Sequence, residues 1–149
     1  MFTLTKDGNL SKDGKKTKPE MTVQEFKDAF NVSEEGVRIG GEGRVWEYTT
    51  KDYFGDIPCK FVFTFVDKII MNIQLIISTE PFLDKCGDDE DIQDIQREEC
   101  LKLIEKNVKY REKDTDGKMH VMYFCKDARV SLLQEVMQAE LIIIVRYVG

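Results

Sequence analysis

Histidine is almost missing from this sequence: His120 is the only one, and none of the four cysteines forms a Cys-x-x-Cys spacing. Structural zinc sites draw on closely spaced cysteine or histidine pairs, so no metal and no other cofactor is expected. Long apolar runs are missing too. The longest, Leu141 to Val145, falls far short of the ~20 residues of a membrane span. The amino-terminal stretch MFTLTKDGNLSKDGKKTKPE lacks an apolar segment of signal-peptide length, and its lysines follow its hydrophobic residues. These absences predict a cytoplasmic protein with no membrane partner. Thiols stay reduced there, so Cys59, Cys86, Cys100 and Cys125 are expected to be free. Positive charge is also in short supply, 22 Lys and Arg against 28 Asp and Glu. Because phosphate binding rests on clustered lysine and arginine, nucleic acid is excluded as a partner.

What is present describes one folded domain. Apolar residues make up 42% and charged residues 34%, the balance of a globular protein rather than a disordered or fibrous one. At 149 residues the chain is long enough to bury a core without disulfides. Residues 1–149 are read as a single domain with three parts: a basic strand and mobile loop over 1–19, and two halves, 20–80 and 85–149. In the first half, Thr22 and Glu25 have the spacing of a capping box. Val23, Phe26, Ala29 and Phe30 then recur at helical intervals, and Gly36 closes the region. Three strands follow, RVWEYTT (44–50), KFVFTFV (60–66) and IIMNIQLII (69–77), with Asp67-Lys68 as a tight turn. Phe61, Phe63 and Phe65 share one side of a pleat, as do Met71, Ile73, Leu75 and Ile77.

The second half repeats that order. A long helix is expected over roughly 88–110, with Ile92, Ile95, Cys100, Leu103, Ile104 and Val108 as its apolar stripe. Acids crowd its start and lysines its end, complementing the helix dipole. The DTDGK segment ends it. MHVMYFC (119–125), RVSLLQEV (129–136) and ELIIIVRYV (140–148) read as strands, although the middle one also fits a helical stripe. The fold class is therefore α+β: an antiparallel sheet with helices packed on one face, its order suggesting a tandem helix-plus-three-strand pseudo-repeat.

Chemistry is hard to assemble from these residues. DDEDIQDIQREE lacks the internal glycine of a calcium loop and puts Ile92 and Ile95 where ligands should fall. GGEG (40–43) is followed by a strand rather than a helix, which suits a turn or bulge better than a phosphate loop. His120 and Cys125 lie five positions apart on one strand and so face opposite ways, which spoils a nucleophile–base pair. No enzyme is expected.

A binding surface remains. Residues 88–99 hold seven acids against Arg97, and Tyr53 and Phe54 are exposed aromatics by this reading. In size, acidity, lack of a signal peptide and helix–strand order, the chain resembles the cytoplasmic immunity proteins of bacterial toxin–immunity systems of the contact-dependent inhibition type. The tandem order of 20–78 and 88–148 is also similar to that of the β-lactamase inhibitor proteins, a secreted family. The resemblance implies a toxin inhibitor that occludes a basic toxin domain through Asp88, Asp89, Glu90, Asp91 and Asp94, with Tyr53 and Phe54 as anchors. Two alternatives stand beside it. One is a small-ligand module lined by Trp46, Tyr48 and the phenylalanines. The other is a structural subunit of a phage or bacterial assembly with LIIIV as an unpaired edge.

Overall fold

The computed structural model describes residues 1–31, 37–39, 43–78, 89–117, 120–135 and 140–147. Side chains of 37–39, 89–93 and 135 are not described. The amino-terminal segment is a three-stranded antiparallel sheet, β1 (Thr3–Leu4), β2 (Leu10–Lys12) and β3 (Lys15–Lys16). The sequence reading of a mobile loop is corrected here. Phe2, Leu4 and Leu10 are buried, because this small sheet contributes its apolar side chains to the main core and its lysines to solvent. Asn9 and Thr17 are buried with it. The Tyr147 hydroxyl donates to Asn9 Oδ1 at 2.8 Å and shares a 2.5 Å contact with the Thr17 hydroxyl, so no polar atom of that trio is stranded.

Helix α1 (Val23–Phe30) begins with the expected capping box. Glu25 N donates to Thr22 Oγ1, and Thr22 N to Glu25 Oε1, both at 3.1 Å. It stops at Asn31, which takes the left-handed conformation with φ 48°, five residues before the glycine that the sequence suggested. Phe26 is its buried residue, with ring centroids 4.7 Å from Phe63 and 5.2 Å from Phe65.

The main sheet has eight strands. In chain order they are β4 (Val37–Ile39), β5 (Val45–Phe54), β6 (Ile57–Val66), β7 (Ile69–Ile77), β8 (Tyr110–Asp116), β9 (His120–Cys125), β10 (Arg129–Glu135) and β11 (Glu140–Arg146). In space the order is β4-β5-β6-β7-β11-β10-β9-β8, antiparallel throughout. Each half is therefore a helix and a four-strand meander, one strand more than the sequence suggested, and the meanders join through their last strands. Between the meanders runs α2 (Asp89–Asn107). It ends at Asn107, and residues 110–116, which take in the expected helix end at 110 and most of its DTDGK stop signal, are a strand.

Period-two alternation sorts the side chains onto two faces. On the first, Phe61, Phe63, Ile73, Leu75, Ile143 and Val145 are fully buried, each worth about 1.5–3 kcal/mol removed from water. Cross-strand register aligns them in rows, such as Phe61–Leu75–Ile143–Leu132. Ile70, not Met71, occupies the core end of β7. A bulge between Thr64 and Phe65 pairs Phe65 with Ile70 and shifts the phase by one. At the Asp67-Lys68 turn both residues have positive φ, 51° and 68°, as the favoured hairpin turn requires.

The acidic helix buries Cys100 and Ile104 as its spacing predicts, and also Gln96. Gln96 donates Nε2 to the Ser78 carbonyl at 3.0 Å. Leu103 lies 3.3 Å from where a Cβ on Gly55 would stand. Tyr123, on the first face of β9, donates its hydroxyl to Glu105 at 3.0 Å.

Candidate functional site

The second face of the large sheet is built from the other phase of the same strands. Register places Lys51, Lys60, Ile76, Ile142, Leu133 and His120 in one row. The next row reads Thr49, Val62, Gln74, Ile144, Ser131 and Met122, and a third reads Thr64, Asn72, Arg146, Arg129 and Phe124. Its middle is apolar: Ile76, Ile142, Ile144 and Leu133 are half-buried, shielded by their sheet neighbours. Val62, Thr64 and Ser131 are buried there outright. An apolar field with a polar margin has the anatomy of a protein interface.

The margin is charged in an ordered way. Along β8 every residue is exposed, and its signs alternate. Lys113 has one phase, beside Tyr123; Glu112, Asp114 and Asp116 have the other and lie beside Phe124, Met122 and His120, while Arg111 falls in a bulge. Lys113 is drawn to the first side, 2.7 Å from Glu105 Oε1 on α2 and over the Tyr123 ring. That lysine holds Glu105 below the usual carboxylate range against an opposing push from burial, helped by the Tyr123 hydroxyl. Glu112, Asp114 and Asp116 line one rim of the second face, with Arg111 at its end.

Tyr53 belongs to this face, at the β5 end, and is 52% exposed. Phe54 does not. It is 1% exposed, paired with Ile57 at the end of the hairpin and bridged to Phe2, so its role as a surface anchor is overturned. The strand read as ending at Thr50 runs on to Phe54, and neighbours on a strand face opposite ways. Beside Tyr53, Asp52 points inward. Burial pushes its carboxyl up, but Lys12 at 2.6 Å and the Tyr53 amide together bring it below its ordinary value.

Comparison with family models, curated proteins and solved structures returns no match. The reading of the site rests on its own residues.

Among the expected acidic contacts, Asp89, Glu90 and Asp91 are in the first turns of α2, and Asp94 is exposed. Asp88 lies outside the described residues, as does Cys86. The row Glu112, Asp114 and Asp116 was missed, since a strand without apolar residues offers no hydrophobic period. Its signal was the period-two alternation of charge.

The other readings fare differently. Cys59, Cys100 and Cys125 are free and buried. Burial pushes the Cys59 thiol up to about 12 and the Cys125 thiol up to about 11, and raises Cys100 as well. None of these three thiols supplies a thiolate at neutral pH. Tyr48, Phe61, Phe63 and Phe65 are core, and the Tyr48 and Phe65 rings meet edge-on at 5.7 Å. They fill the volume in which a ligand pocket was expected. LIIIV is not an edge either, because β11 is paired on both sides, with β7 and β10. Among the described residues no group of three or more His, Cys, Asp or Glu gathers as a metal site, and no helix is long and apolar enough to cross a membrane.

Proposed function

We propose that this is a non-catalytic cytoplasmic binding protein of the immunity type, which neutralises a toxin by docking the second face of its large sheet onto it. In this reading α1 and α2 both lie against the first face and leave the second for the partner. One observation carries it: a half-buried apolar field of Ile76, Ile142, Ile144 and Leu133, rimmed by the exposed row Glu112, Asp114 and Asp116. The apolar field supplies residence time, since desolvated contacts at the centre of an interface dominate affinity. The acidic rim, with Asp94 and the acids at the start of α2, steers a basic partner such as a nuclease-like domain. Tyr53 closes the far corner as an aromatic contact.

The test is capture from the source organism with three baits. Wild type should retain one basic protein that Ile144→Asp loses. The triple variant Glu112→Gln, Asp114→Asn, Asp116→Asn should retain it with an association rate about tenfold lower at low salt. Equal capture by wild type and Ile144→Asp, both folded by circular dichroism, overturns the docking face.

A further inference from the structure

We propose that the protein carries an oxyanion site, specific for the phosphoryl group of a small ligand, in a cleft at the end of the sheet lined by Arg111, Lys126 and Arg129, with Arg146 beside Arg129 on the next strand. The site lies at the end of the second face, on its third row, and phosphate binding there is measurable without the protein partner. Arg129 and Arg146 are direct cross-strand partners on β10 and β11. Like charges so placed repel one another. On the other side of Arg129 stands Phe124. A bulge in β8 between Tyr110 and Glu112 leaves Arg111 out of register there. Arg111, Phe124, Lys126, Asp127 and Arg129 line one cleft of about 410 Å³.

None of the four cations has an ion pair among the described residues. Arg129 Nε is shut off from solvent and has no hydrogen-bond partner. A buried guanidinium donor without an acceptor is costly, and so is a second arginine beside it. An anion in the cleft relieves both. The one carboxylate in the lining, Asp127, forms no ion pair with them among the described residues; its Oδ2 accepts from Asn9 Nδ2 at 2.8 Å. The wall is also held rigid: Asp127 N donates to the Asp7 carbonyl and Cys125 N to Ala128, both at 3.0 Å. Gly8 packs against it so closely that a Cβ there would stand 3.0 Å from that of Cys125.

Planar forks suit phosphate better than a lone ammonium does. Phe124 adds an aromatic surface in the same cleft. Phosphate therefore enters as free inorganic phosphate or as the ester of a ring-bearing metabolite.

The experiment is a titration of the labelled protein with inorganic phosphate and with phenyl phosphate at constant ionic strength, followed by NMR. Saturable shifts at Arg129, Arg146 and residues 124–128 are expected. Tighter binding of phenyl phosphate identifies the ester, and equal binding identifies the free anion. Arg146→Gln, at an exposed position, should weaken binding about tenfold, with Arg146→Lys intermediate. Arg129→Gln should do the same while leaving the melting temperature unchanged or higher. No saturable shift with either compound, or shifts equal in wild type and both glutamine variants, overturns the site.

Discussion

The two faces of the large sheet are made by the same strands, residue by residue in alternation, yet they differ in what surrounds them. Ile143 and Ile144 are neighbours on β11. One is fully buried among Leu75 and Leu132, and the other is half-buried between Gln74 and Ser131. The centre of the first face is aromatic and aliphatic; the second mixes isoleucine with Gln74, Asn72 and Ser131. A protein that needed both faces for stability would make both dry. The difference assigns the first face to folding; in the function proposed above, the second is left for recognition.

The sharpest way to break this comparison is in the aromatic cluster. Phe63→Ala removes a ring in contact with Phe2, Phe26 and Phe61 and should cost about 3–5 kcal/mol in urea unfolding. The decisive pair comes next. Ile143→Ala should cost ~2–4 kcal/mol, while Ile144→Ala should cost less than about half of that, because its cavity opens to solvent. Equal losses would mean that the second face is covered. Smaller again is Asp52→Asn, which should lose about 1 kcal/mol at neutral pH by weakening the bonds from Lys12 and the Tyr53 amide.

The same group gives a pH dependence with a definite sign. The folded-state value of Asp52 is depressed, so its contribution is complete above the unfolded value near 3.8 and fades as pH falls through the folded one. Unfolding followed from pH 6 downward should show a steeper acid limb for wild type than for Asp52→Asn. Smallest of all, the triple substitution along β8 should change stability by less than ~0.5 kcal/mol, since exposed carboxylates contribute little. A larger loss would make that rim part of the fold rather than of a binding surface.

Most elements of the fold were readable before any coordinates. The Thr22 capping box, the Phe61-Phe63-Phe65 pleat, the Asp67-Lys68 turn and the strands from His120 to Arg146 follow from local pattern. The ambiguous segment at Arg129–Glu135 is the strand that its flanking strand implied. The candidate site was much less legible. Phe54 was misplaced because a sequence does not mark where a strand ends, and one position more reverses the face. The β8 acids were passed over because the period of their charges, not of their hydrophobicity, identifies the strand. Gln96 was missed since only the position of Ser78 gives a buried glutamine its partner.

By itself, then, the chain determined α1, α2 and the apolar strands of the main sheet, because alternation and capping are set by residues within a few positions of one another. Tertiary structure alone decided that the meanders meet through β7 and β11, that the basic amino-terminal segment joins the core, and that Arg129 stands against Arg146. Those outcomes depend on contacts between residues far apart in the chain, whose energies favour one arrangement only once both partners are in place.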